Sequence, residues 1–352
     1  MRAYERLLNY VKVWTTSDEE STTSPTTARQ FDLAKLLLEE MKGMGIEDAM
    51  MDEYGYVYGH IPATPGYENC TAIGFLAHMD TAPDYSGENV NPQIIENYDG
   101  KDVVLGTSGR TLTVKDFPSL KNMTGKTLIT TDGTTLLGAD DKAGIAEIMT
   151  VAEELLKGDI PHGNVCLAFT TDEEVGSGAC HMDLERFGAP YAYTVDGGPE
   201  GEIQFENFNA ASAEFVIHGV NVHPGEAKDI MVNSMKIAME LQGMLPEQEA
   251  PEHTEGYEGF FHLMEMNGSV EETTMSYLIR EFDAEKYEAR KALMQEITAK
   301  INAKYGEETV ELKLEDSYRN MREMIEPCMQ LIDFAVRACK DADVEPDIAP
   351  IS

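Results

Sequence analysis

Hydrophobic positions in the first part of the chain follow two periods. Thr27–Met41 sets Phe31, Ala34, Leu37 or Leu38, and Met41 at helical spacing, which predicts a surface helix. Ser24-Pro25 reads as its N-cap with proline in the first turn, and Gly43 and Gly45 read as its stop signals. Three short apolar runs that end in polar residues read as strands: TAIGFLAHMD (71–80), VCLAFTTDEE (165–174) and AYTVDGG (192–198). Between the first two, a helix is predicted from about Lys142 to Lys157, with Ile145, Ile148, Val151, Ala152 and Leu155 on one face. Buried strand runs alternating with helices predict an α/β fold with a mostly parallel mixed sheet flanked by helices.

The pattern changes near Phe208. ASAEFVIHG predicts a strand, and a helix is expected over roughly Ala227–Met244. GFFHLMEM and TMSYLIREFD predict two strands on either side of Asn267-Gly268 and a short acidic segment. A helix from about Ala284 to Tyr305 follows, and TVELKLEDS closes with strict alternation. This β-α-β-β-α-β order is the ferredoxin-like pattern. The expected organisation is one domain made of residues 1–206 and 320–352, with residues 207–319 inserted as a second. Cys328–Lys340 reads as a further amphipathic helix.

A length of 352 residues suits two domains, or one with a large insertion. Acids outnumber bases 64 to 27, giving a net charge of −37. Such a surface repels nucleic acid and anionic membranes, so neither is an expected partner. The apolar fraction of 42% still allows a sizeable core. Five scattered cysteines form no CxxC pair, which fits neither a disulfide framework nor a zinc ribbon and points to a reducing compartment. Arg2, Glu5, Arg6 and Lys12 interrupt any signal-peptide core, and no apolar run reaches membrane-span length. The expectation is a soluble, cytoplasmic protein.

Each trusted strand of the first domain ends in groups able to do chemistry. The first ends in His78 and Asp80, the second in Asp172, Glu173 and Glu174, and the third in Asp196, while LLGADDKAG sets Asp140 and Asp141 at a helix start. Ligands of α/β sheets bind outside the carboxyl ends of strands, so these groups are expected to converge on one sheet edge. Each has a plainer reading alone: a structural histidine, a helix N-cap at Asp140, a solvated turn at Glu173-Glu174, an ordinary turn at Asp196-Gly197-Gly198. Taken together, one imidazole and several carboxylates make a metal-ligand set. Without a cation, like charges so close would raise some of their pKa values sharply.

HMDTAPD (78–84), LLGADDKAGIAEI (136–148), TTDEEVGSG (170–178) and VDGG (195–198) resemble the co-catalytic zinc aminopeptidase and carboxypeptidase family of the M20 type. TEGYEGFFHL (254–263) and EDSYRNMRE (315–323) resemble its tripeptide aminopeptidase branch. The resemblance runs along nearly the whole chain. It implies a zinc-aminopeptidase-like catalytic domain with an inserted ferredoxin-like lid, two Zn2+ per subunit in the intact protein, and short peptides as substrates, tripeptides above all. A homodimer is also compatible with it. By that resemblance His78 and Asp196 bind one zinc, Asp140 bridges both, Glu174 binds the second, and Glu173 is the general base. Asp80 fixes the His78 tautomer, as carboxylates behind a metal-bound histidine do. In the lid, His223, Asn233 and Arg280 match positions that contact substrate. Read without the resemblance, these three are a loop histidine, a helix asparagine and a surface salt bridge.

In the family, a glycine-rich stretch follows the position matching Pro350-Ile351-Ser352, and beyond it a histidine completes the second zinc site. The expectation is therefore an intact product longer than this sequence. Within the sequence, the second zinc is expected to find only Asp140 and Glu174.

Overall fold

A computed structural model describes residues 1–351. They fall into two compact units, Met1–Gly197 and the chain from Gly198 onward.

The first unit is built on a five-stranded sheet. Its elements are α1 (Ala3–Tyr10), α2 (Gln30–Met44), β1 (Met50–Met51), β2 (Val57–Ile61), β3 (Ile73–His78), α3 (Ala139–Leu156), β4 (Val165–Thr170) and β5 (Tyr191–Thr194). The strand order is β1-β2-β4-β3-β5. Strands β4, β3 and β5 run parallel, whereas β1 and β2 are antiparallel additions at the other side. Every residue of β4 is buried, as expected of a strand covered on both faces. On one face Val57, Ala77, Leu167 and Phe169 pack with Leu33, Leu37, Met41, Ile145, Ile148 and Met149 of α2 and α3. On the other, Tyr58, Cys166 and Ala168 pack against Phe187. The result is a mixed α/β sheet with helices against it, as the sequence pattern predicts.

Two details differ from expectation. Helix α2 starts at Gln30, with Arg29 in the capping position, so Ser24-Pro25 does not cap it. That pair sits five residues upstream with a cis peptide, in a loop held by Thr26 and Thr27. Gly43 is still helical, and the stop is Gly45 at φ +98°, a left-handed conformation that glycine adopts without a Cβ clash. Between β3 and α3 the chain also forms small antiparallel pairings, Pro92–Ile95 with Leu128–Thr131 and Val103–Val104 with Thr111–Leu112. Their own small core holds Tyr98, Val103 and Leu105.

The second unit contains β6 (Asn209–His218), α4 (Ser234–Gln242), β7 (Phe260–Gly268), β8 (Glu272–Glu281), α5 (Ala284–Tyr305), β9 (Val310–Tyr318) and α6 (Gln330–Asp341). Strands β6 to β9 make one antiparallel sheet in the order β7-β8-β6-β9. With a helix in each crossover this is the ferredoxin-like βαββαβ arrangement. Helices α4 and α5 cover one face through Ile237, Leu241, Met294, Ile297 and Ile301. Helix α4 is shorter than the periodicity suggests. Pro224–Glu226 is a 3₁₀ turn, Val232 bridges to Val220, and the Asn233 side chain accepts from Met235 N and Lys236 N, which fixes the helix start.

Candidate metal centre

The parallel strands β3, β4 and β5 deliver their carboxyl ends to one edge of the sheet. His78 is the last residue of β3, Glu173 and Glu174 form a 3₁₀ turn just after β4, and Asp196 lies two residues beyond β5. Asp140 comes from the start of α3, where Gly138 has φ +77°. Asp140 and Asp141 are themselves non-helical, so the regular helix begins after them and the two carboxylates diverge.

His78 is almost fully buried. Its Nδ1 faces Asp80, 3.1 Å from the carbonyl oxygen and 3.3 Å from Oδ1. Its Nε2 faces the acids: 2.8 Å to Asp140 Oδ1, 3.6 Å to Asp196 Oδ2 and 3.8 Å to Glu173 Oε2. The ligand atoms of His78, Asp140 and Glu174 lie within 4.8 Å of one another, and so do those of His78, Glu173 and Asp196. Asp80 is wholly buried and accepts Glu173 N at 3.0 Å and Glu174 N at 3.1 Å. One carboxylate thus orients both the imidazole and the two-glutamate turn.

The electrostatics of this edge are those of a site short of positive charge. Burial alone would lower the His78 pKa, but hydrogen bonds and charge from Asp140 and Asp80 outweigh it and carry the imidazole up to about 11. Burial, reinforced by the Asp140 charge, raises Glu174 to about 7. Burial and the Asp140 charge, opposed by His78, place Asp196 at about 6. Burial and the neighbouring Asp196 raise Asp141 to about 8. Only Asp140 is lowered, by its hydrogen bond from His78. An imidazole whose proton is held only by crowded carboxylates, most of them raised in pKa, is a donor set that suits a divalent cation, which would take the place of that proton.

Three further residues support the site: Asp141 and Asp172, which the sequence already set at this edge without a role of their own, and Lys142, which it did not single out. Asp141 accepts His78 N and Gly144 N, both at 3.2 Å, and so ties β3 to α3. Lys142 is buried and donates to Val13 O at 2.9 Å. Asp172 sits at φ +60° while its carboxylate accepts Thr26 N, Thr26 Oγ1 and Gln30 Nε2, which pins the end of β4 ahead of the glutamates.

The other three expected residues lie in the second unit. His223 is exposed, and its Nδ1 accepts Gly225 N at 3.2 Å. Asn233 caps α4 through its Oδ1. Arg280, on β8, donates to Ile279 O at 3.1 Å and lies over the Tyr318 ring.

With that geometry in place, comparison with known proteins is decisive. The chain is 55% identical to peptidase T of Geobacillus sp. (strain WCH70), over 99% of this chain and 85% of that protein. It is 53% identical to peptidase T of Clostridium novyi (strain NT), over 98% of this chain and 85% of that one. The chain belongs to the peptidase T family. As a member of the peptidase T family it is an M20-type peptidase, a metallo-aminopeptidase by class. Residues 205–309 match the peptidase dimerisation domain model, and residues 124–253 match the M42 glutamyl aminopeptidase model. The fold is that of the aminopeptidase PepT from Bacillus cereus ATCC 10987, with a TM-score of 0.78 at 23% identity, covering 100% of this chain and 84% of that one. Among the described residues, no helix is long and apolar enough to cross a membrane.

Proposed function

We propose that this peptidase T family member is a two-zinc aminopeptidase that releases the N-terminal residue of tripeptides, with Glu173 as general base. The observation that carries the reading is His78 Nε2 set among the carboxylates of Asp140, Glu173, Glu174 and Asp196. His78, Asp140 and Asp196 would hold one zinc, and Asp140 with Glu174 the second. Bound zinc supplies a polarised carbonyl and a water acidic enough to be deprotonated near neutral pH. Asp80 keeps the His78 proton on Nδ1, leaving Nε2 to serve as a ligand. Glu173, about half exposed and next to a ligand, takes the proton of the attacking water and passes it to the leaving amine. Glu174, the more buried of the pair, is left to ligate.

We also assign residues 1–206 and 320–352 to the catalytic domain and 207–319 to the lid, in which His223, Asn233 and Arg280 contact substrate. His223 would donate to the oxyanion, and Arg280 would grip a carboxylate with its fork. The match of residues 205–309 to a dimerisation domain supports a homodimer. The five free cysteines suit a reducing cytoplasm.

Counting zinc by mass spectrometry, alongside a tripeptide hydrolysis assay, tests the reading. Two zincs per chain and release of a free N-terminal amino acid are expected. One metal and no turnover would contradict it.

A further inference from the structure

The second unit contains a cavity of about 400 Å³ lined by Asn207, Phe208, Phe260, Arg280, Tyr318 and Ile351. Sheet register explains most of its floor. Phe260 is opposite Arg280, Arg280 opposite Ala210, and Ala210 opposite Tyr318, so the four form one row across β7, β8, β6 and β9. Directly opposed residues of antiparallel strands share a face. Ala211, Phe261 and Ile279, the neighbours in sequence, pack under the helices, so this row belongs to the helix-free face. Ala210 is the small member of the row, and across it the Arg280 guanidinium lies over the Tyr318 ring.

The lining combines one cation, aromatic rings and no carboxylate, in a chain of net charge −37. Arg280 spends one donor on Ile279 O and its guanidinium lies 5.3 Å from the Tyr318 ring centre, which leaves most of its five donors for a ligand. The walls are braced. Phe208 packs on Phe282 at 4.1 Å and edge-on to Phe260 at 5.6 Å, and Tyr257 backs Phe282 at 4.9 Å. The Tyr257 hydroxyl donates to Glu206 at 2.7 Å, and Arg322 donates to the same carboxylate at 3.1 Å. Asn207 donates its N–H to Asn320 Oδ1 and accepts Met321 N–H on its own Oδ1. The TEGYEGFFHL and EDSYRNMRE segments therefore hold a rigid aromatic box in shape before any ligand arrives.

We infer that Phe208, Phe260 and Tyr318 form a side-chain specificity pocket that selects an apolar residue whose carboxylate Arg280 holds. The ligand class is an amphipathic carboxylate: the apolar C-terminal residue of a short peptide. The inference rests on the reading that Arg280 grips a substrate carboxylate, and it adds which side chain stands beside that carboxylate. Burying a leucine-sized side chain against such rings is worth at least about tenfold in affinity over glycine.

The test is calorimetric titration of the full zinc-loaded chain with N-acetyl-L-leucine, N-acetylglycine and N-acetyl-L-leucinamide. The leucine acid is expected to bind at least about tenfold more tightly than either of the others. Phe260→Ala should abolish the preference over glycine, and Arg280→Gln the preference over the amide. Tyr318→Ala, at a half-exposed position that folding tolerates, gives a second reading of the box should Phe260→Ala not fold. Equal binding of the leucine and glycine acids would overturn the pocket while leaving the Arg280 reading intact. Equal binding of acid and amide, or full affinity in Arg280→Gln, would overturn the Arg280 reading and the pocket with it. So would a failure of all three compounds to bind.

Discussion

At the scale of single residues, the centre depends on how five acids and one imidazole divide their tasks. Asp140 touches His78 directly and belongs with Glu174 in one ligand group, which suits a carboxylate shared by two ions. Asp140→Ala is therefore expected to remove both zincs, and Glu174→Ala mainly to weaken one. Zinc titration of each variant checks this, and two intact sites in Asp140→Ala would contradict the bridging role. The residues brought together at this edge were legible because strand-end acids and a histidine recur at four places along the chain. Asp141 and Asp172 were placed at this edge, but their supporting roles, and any part for Lys142, were not legible. Their importance lies in buried hydrogen bonds to Gly144, Val13 and Thr26, partners that only the folded chain brings near.

Among the elements, α3 packs tightly at Gly144 against the chain just after β5. A Cβ on Gly144 would collide with Asp141 Oδ1 and with the carbonyl oxygen of Val195, one residue before Asp196. Gly144→Ala must push strand and helix apart, at a cost of about 1–3 kcal/mol in stability. Because Asp196 moves with Val195, zinc affinity should fall by at least about tenfold, the change that 1.4 kcal/mol produces. Gly43→Ala is the contrast: it lies within α2 with nothing near its would-be Cβ, and should stabilise by about 0.5–1 kcal/mol. Thermal melts with zinc titration of both variants separate the two cases; equal behaviour would contradict the packing argument. Periodicity located α2 and α4 but misplaced their starts. Capping is set by which side chain meets the first free N–H groups, and here Asn233 does so within a predicted helical run.

For the whole molecule, the α/β pattern and the βαββαβ order were readable because buried parallel strands and alternating antiparallel strands leave different hydrophobic signatures. The small pairings between β3 and α3 left none, since strands of two to four residues carry too little periodicity to register. Metal should act on the entire fold. Asp140, Glu173, Glu174 and Asp196 repel one another without a cation, so zinc bound only by the native chain stabilises it. At a free zinc concentration a hundred times Kd, that linkage is worth about 2.7 kcal/mol. Chelation should lower Tm and zinc should restore it in the native chain, with no restoration in Asp140→Ala. An identical Tm with and without chelator would contradict a metal-dependent centre.

The central claim is that Glu173 moves the proton while its neighbours hold the metal. Glu173→Gln keeps the size and the N–H bonded to Asp80 but cannot accept a proton from water. Measuring kcat on a tripeptide together with zinc content in this one variant tests the claim most directly. The account predicts unchanged zinc content and a kcat lower by at least about 10²-fold. Near-normal kcat with full zinc occupancy would contradict it.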